Sequence, residues 1–355
     1  MEKRIARRRL RLLCGLTLWG FCAAGLSGQP APASETPEID FGGYLAYEYL
    51  QPAGTRFPEG GRFHGLQGGF RIAGPSSSRA GFLVEVHGRD EGRFEWKQAY
   101  VRMDFSAALR LKLGLHLVPF GRFNERSRPH ENPFVGIPLN LAVLYPENWR
   151  DLGAAAEGRW GIFSYAVNFG NGLAMDEEGV LNRQFTDNNA HKAWGGRIGA
   201  FLSQGMEIGL SYAAGLSDEA QEKSYRMEGL DAAWKTPDWE IRGEYTRGRF
   251  DLPLPEDQGK SEGFFVVLIW TPGSLQPVVG YQAVRMENIA FPSTLMPSRS
   301  AAYGEDTELR GWTFGLRWIP APGLLLKGEY SLNADNGLSR KDHVLRLQAA
   351  AVFAP

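Results

Sequence analysis

The chain has 355 residues, with 39 Lys and Arg against 40 Asp and Glu, for a formal net charge of −1. That balance lacks the basic surplus a nucleic-acid surface requires, so no nucleic-acid partner is expected. The 2 cysteines, Cys14 and Cys22, both fall within the first 28 residues, which leaves the rest without a disulfide framework, a thiolate metal site or a catalytic thiol.

The first segment reads as a targeting leader. Lys3, Arg4, Arg7, Arg8, Arg9 and Arg11 precede an apolar stretch from Leu12 to about Leu26, and small residues follow it. This apolar run is shorter than the ~20 residues a membrane-spanning helix needs, so residues 1–28 are predicted to be a signal peptide. Without the leader's net +5, the remainder carries about −6. Residues 29–38 (QPAPASETPE) read as a short periplasmic linker.

From Ile39 onward the chain alternates. A strand with lipid on one side and water on the other is apolar at every second position. Leu109-Arg110-Leu111-Lys112-Leu113-Gly114-Leu115-His116-Leu117 has that rhythm, with the leucines on one face and Arg110, Lys112 and His116 on the other. The same template predicts strands near 39–49, 63–73, 80–89, 94–105, 109–117, 149–160, 162–170, 193–202, 206–215, 227–235, 239–249, 262–270, 275–285, 308–318, 324–332 and 343–353. About sixteen strands of roughly ten residues suit an all-β, antiparallel, up-and-down transmembrane β-barrel.

The predicted connections sort by parity. Links at 74–79, 106–108, 161, 203–205, 236–238, 271–274 and 320–323 are short and rich in Gly, Pro and Ser, whereas 121–148, 171–192, 215–226, 250–261 and 286–307 are long. Short turns on one rim and long loops on the other are the asymmetry of an outer-membrane barrel. Aromatic residues near strand ends (Tyr47, Trp96, Trp149, Trp160, Trp194, Trp234, Trp239, Trp270, Trp312, Trp318) are expected at the headgroup boundaries. Apolar residues are expected to face only outward.

The block Ala99-Tyr100-Val101-Arg102-Met103-Asp104-Phe105, the Leu109 strand, Val118-Pro119-Phe120-Gly121-Arg122-Phe123-Asn124 and Trp149-Arg150-Asp151-Leu152-Gly153 together resemble the phosphate-selective porin O and P type of outer-membrane protein. The resemblance covers about a third of the barrel. It implies a sixteen-stranded channel, often trimeric, with the loop after Pro119-Phe120-Gly121 folded into the lumen. Two departures stand out. The loop offers Arg122, Arg126 and Arg128 against Glu125, Glu131 and Glu147 in place of a lysine cluster, and Ala354-Pro355 follow the closing aromatic Phe353.

Strand parity places Arg110, Lys112, His116, Glu85, His87, Arg89, Glu157, Arg159, Glu240, Arg242, Glu244, Lys327, Glu329 and Arg346 on the water side. An Arg or Lys on the lipid face near the midplane would cost roughly 2–4 kcal/mol. The expected pore-lining set is Arg110, Lys112, His116, Arg122, Glu125, Arg126, Arg128, Glu131, Arg242 and Glu244. Loop 121–148 is the expected constriction, the other reading being an extracellular loop at a trimer contact.

The expected function is passive diffusion of small hydrophilic solutes or ions across the bacterial outer membrane, with a weak anion preference and phosphate as one candidate. The expected partners are the lipid bilayer, lipopolysaccharide, the barrel-assembly machinery and two further copies in a homotrimer. No enzyme activity, cofactor or metal is expected: the six histidines lack ligand spacing, and no Gly-x-Ser-x-Gly elbow occurs. The competing readings are a non-conducting scaffold barrel and an outer-membrane hydrolase of the phospholipase kind, for which His64 is the one outward histidine.

Overall fold

The computed structural model describes residues 39–52, 61–75, 77, 79–89, 93–144, 146, 148–175, 181–252, 258–288, 307–335 and 343–353. The predicted leader and linker lie outside them, as do Tyr145, Glu147 and Ala354-Pro355. The strands are β1 (Asp40–Pro52), β2 (Arg62–Pro75), β3 (Ala80–Arg89), β4 (Arg93–Ser106), β5 (Leu109–Leu117), β6 (Arg150–Trp160), β7 (Phe163–Gly170), β8 (Leu173–Met175) and β9 (Leu181–Arg183). They continue as β10 (Ala193–Ser203), β11 (Met206–Leu216), β12 (Ser224–Lys235), β13 (Trp239–Asp251), β14 (Gln258–Trp270), β15 (Leu275–Glu287), β16 (Thr307–Ala321), β17 (Leu324–Asp335) and β18 (Val344–Phe353). Among the described residues a short helix, α1 (Leu139–Leu144), and a 3-10 turn at Asn124–Arg126 interrupt the β structure.

Sixteen of the strands close into one antiparallel barrel, each beside its chain neighbour, while β8 and β9 form a separate hairpin in the link between β7 and β10. The seam is the pairing of β1 with β18, from Gly43 opposite Phe353 to Pro52 opposite Val344. Closure leaves no edge strand with unpaired N–H and C=O groups, which is what hydrocarbon surroundings demand.

The predicted strands match those observed, with extensions of three or four residues at the start of β12 and β14 and of three at the end of β1, β16 and β17. β12 and β14 begin at Ser224 and Gln258, three or four residues before their apolar faces start, because the ladder continues above the apolar band where the outer face has turned polar. Exposed apolar side chains lie on one parity, as in Leu210, Ile198 and Val101. On β5, Leu109 and Leu113 are exposed, but Leu115 and Leu117 are buried, so the open face of this strand is its turn-side half.

A β-bulge breaks the alternation of β4. Glu85 pairs with Gln98 and Val86 with Trp96, leaving Lys97 as the extra residue. Simple parity would send Lys97 outward, but the bulge turns it inward, where it is buried beside Glu85 at 3.9 Å. The expectation that apolar residues face only outward also fails. Phe265, Val267, Ile269, Val278, Val284, Met286 and Leu309 face inward from β14–β16 and pack with Phe120, Phe123, Phe134, Leu141, Leu144 and Trp149 of the long connection. Trp149 therefore lies inside and does not join the aromatic belt; its ring meets Phe120 at 5.5 Å.

Candidate functional site: the lumen and its infolded segment

The segment between β5 and β6 folds into the barrel because the wall supplies partners for its backbone. Buried N–H and C=O groups must be hydrogen-bonded, and a loop offers itself few such bonds. At the base, Val118 N donates to Trp149 O (2.9 Å), and Asn124 Nδ2 donates to both Val118 O (2.9 Å) and Trp149 O (2.7 Å). Gly121 then turns the chain with φ 62°, in the left-handed region that favours glycine, and a Cβ there would fall 2.3 Å from Glu244.

Beyond that turn, charged side chains on distant strands hold the backbone. Glu244 of β13 accepts from Arg122 N (3.0 Å) and Phe123 N (3.2 Å). Glu329 of β17 accepts from Val135 N (2.7 Å) and Gly136 N (3.1 Å). Lys327, also on β17, donates to Pro129 O (2.7 Å), Asn132 O (3.2 Å) and Phe134 O (2.7 Å). Arg128 grips Glu85 of β3 through two bonds of 2.8 Å, and Leu139 N, opening α1, donates to Gln282 Oε1 at 2.9 Å.

Packing fixes the other side of the segment. Phe134 lies against Gly280 of β15, where a Cβ would come within 2.6 Å of its ring, so that bare position makes the berth. Phe123 meets Phe265 edge-on at 5.9 Å. Each such ring contributes roughly 1.5–3 kcal/mol on burial. The segment thus packs against β12–β16, is held by β17 and β3 as well, and leaves a gap beside β5–β7, β10 and β11.

That gap holds a cavity of about 420 Å³. Five arginines border it, Arg110, Arg122, Arg126, Arg159 and Arg197, with three carboxylates, Glu125, Glu157 and Glu207. Arg122 is paired with Glu207, Arg197 with Asp231 (2.6 Å) and Glu207 (3.0 Å), and Arg110 with Asp104 and Glu157. Arg126 is exposed and has no carboxylate within ion-pair distance among the described residues. Within this lining the loop supplies Arg122, Glu125 and Arg126, while the wall supplies the rest.

The ten residues expected along the pore therefore divide by position. Arg110, Arg122, Glu125 and Arg126 border the cavity. Lys112 faces inward but is spent on Glu157 at 2.6 Å. His116 is fully buried, its Nδ1 at 3.0 Å from Gly114 O, and does not border the cavity. Arg128 and Glu131 pair with each other (2.9 Å) and Glu244 binds the loop backbone, so these three act as anchors. Arg242 pairs with Glu240 (2.6 Å) and reaches Glu131 O at 3.4 Å. Sequence reasoning placed Lys327 and Glu329 inward without a partner, and it missed Arg197 and Glu207, whose signal was their inward parity on β10 and β11. The His64 side chain, central to the hydrolase reading, lies outside what the structure describes.

His130 gives the loop a dependence on pH. Burial lowers its imidazole from the ordinary 6.5; Arg128, Lys97 and Lys327 add to the shift and Glu131 opposes it. The docked loop therefore favours the neutral imidazole, and an undocked one binds the proton more readily. Docking is at full strength above about pH 6.5 and weakens as pH falls below it. Channel current at about pH 5 is expected to be larger and noisier than at neutral pH, and His130→Gln to remove the difference. A wild-type trace indifferent to pH would contradict this assignment.

Comparison with known proteins supports this architecture. No family model matches the chain. An uncharacterized protein of Aquifex aeolicus is 24% identical over 168 residues, spanning 44% of this chain and 38% of that protein, so the chain covers well under half of this relative. Among solved structures, OmpT of Vibrio cholerae in its trimer form has a TM-score of 0.63 at 11% identity, covering 90% of this chain and 100% of that one. Salmonella typhi OmpF in complex with daunomycin has a TM-score of 0.65 at 11% identity, over 89% and 97%. The anion-selective porin from Comamonas acidovorans has a TM-score of 0.62 at 13% identity, over 89% and 100%. At these identities the likeness is one of fold: the chain has the sixteen-stranded barrel of the outer-membrane porins.

Proposed function

We propose that this protein is a passive outer-membrane porin with a weak preference for anions and no enzymatic activity, delivered by the signal peptide at 1–28 and assembled as a homotrimer. The observation that carries the reading is the cavity between the infolded segment and the wall, where five arginines face three carboxylates and Arg126 has no described partner. Opposed charges across a narrow water-filled gap order the water and filter solutes by size and sign, and an excess of positive charge concentrates anions there. Phosphate is the first oxyanion to try, on the resemblance of the β4–β6 block, although arginines stand where a lysine cluster would be.

Purified, folded protein in a planar bilayer is expected to give ohmic conductance steps, and a tenfold salt gradient a reversal potential of the sign set by anions. Electrical silence from demonstrably folded protein would end the porin reading. Conductance with cation preference would retain the pore and discard the arginine filter.

A further inference from the structure

The outer surface of the barrel carries a row of cations that the lumen does not use. At the loop-side ends of β12, β13 and β14, Arg226 stands directly opposite Arg249, and Arg249 directly opposite Lys260. All three are exposed, while their chain neighbours Tyr225, Met227, Gly248, Phe250, Gly259 and Ser261 are buried, so the cations point away from the lumen. The next row inward alternates in sign, Glu228, Arg247, Glu262, Arg285 and Glu308 being successive cross-strand partners.

Like charges directly opposite each other across a sheet are destabilising. The alternating row sets opposite charges directly across from each other. The outer one does not: Arg226 has Glu228 at 2.5 Å and Lys260 has Glu287 at 3.5 Å, but Arg249, between two cations, has no carboxylate within ion-pair distance among the described residues. Below both rows the same strands expose Val266, Leu268, Trp270 and Tyr245. A ligand that suits this surface is anionic at the height of the row and apolar beneath it.

We infer that Arg226, Arg249 and Lys260 seat the phosphate of an outer-leaflet phosphorylated glycolipid whose acyl chains lie on the apolar wall below. Guanidinium groups take phosphate oxygens through paired, charge-assisted hydrogen bonds, and the lipid removes the repulsion within the row. A second copy of the chain fits less well, since the row offers a partner mainly cations. The inference rests on the barrel lying in the outer membrane and is independent of conduction.

The test uses detergent-solubilised full-length protein, with lipid binding read by native mass spectrometry. The probes are an acylated glucosamine disaccharide bearing two phosphates, the same lipid without them, and inorganic phosphate. The wild type is expected to hold the phosphorylated lipid at least about tenfold more tightly than the other. Arg226→Gln/Arg249→Gln/Lys260→Gln is expected to lose that difference while keeping its conductance, and inorganic phosphate is expected not to displace the lipid. Equal binding of the two lipids by the wild type overturns the inference whether or not the variant folds. So does full binding by the folded variant, displacement by inorganic phosphate, which would mark a free-anion site, or a variant that loses only its oligomeric state, which would mark a contact between copies. Loss of conductance alone would bear on the porin reading and leave the lipid site standing.

Discussion

Lys327→Met is expected to undock the infolded segment and raise single-channel conductance while leaving the barrel intact. Lys327 is buried, and its ammonium group satisfies the carbonyls of Pro129, Asn132 and Phe134. Methionine fills similar space without a donor, leaving three enclosed acceptors unmatched. Each unmatched group costs about 1–3 kcal/mol when enclosed, so docking loses roughly 3 kcal/mol, equivalent to an increase of about a hundredfold in the undocked fraction. The side chain makes no bond in the β17 ladder itself, so far-ultraviolet circular dichroism should stay that of a β-barrel. Larger and flickering current steps from folded protein are the expected result; wild-type conductance would show that the three carbonyls do not hold the segment.

Arg126→Glu is expected to abolish or invert the anion preference. The cavity lining carries an excess of two positive charges, and this replacement removes it. At a separation of about 7 Å in water one unit charge acts on a permeating ion with about 0.6 kcal/mol, so exchanging plus for minus moves anion and cation by about 1.2 kcal/mol each in opposite senses and changes the anion-to-cation permeability ratio by about fiftyfold. Because Arg126 is exposed and lacks a described ion-pair partner, the fold should tolerate the change. The reversal potential across a salt gradient reads the ratio directly, and the effect should shrink as ionic strength rises. An unmoved reversal potential would place the filter elsewhere.

The wall was legible because lipid imposes a two-residue period, and a one-residue slip would place charges such as Arg110 and Lys112 in hydrocarbon. The interior of the lumen was less so. Lys97 escaped because a bulge reverses parity locally, and nothing in the Trp96-Lys97-Gln98 run announces one. The apolar inner lining had a signal in hindsight: Phe264 to Trp270 is apolar at every position, the mark of a strand buried on both faces. Gly229, Gly263, Gly280 and Gly315 were a further clue, since inward glycines on neighbouring strands make room for Phe120, Asn140 and Phe134. What sequence could not supply was pairing at a distance. Glu244, Glu329 and Lys327 were placed on the water side, but only coordinates connect them to backbone atoms over a hundred positions away.

Those long-range bonds make the plug a witness to the completed wall. Its holdfasts sit on staves from both halves of the chain, Glu85 early and Lys327 and Glu329 late, and the last two are neighbours of the seam strand. A cylinder that stalls before its final staves arrive has nothing to clasp the stretch around Pro129 and Val135. Restriction of the passage and completeness of the cylinder are therefore one event, and an unfinished assembly would declare itself as a leak.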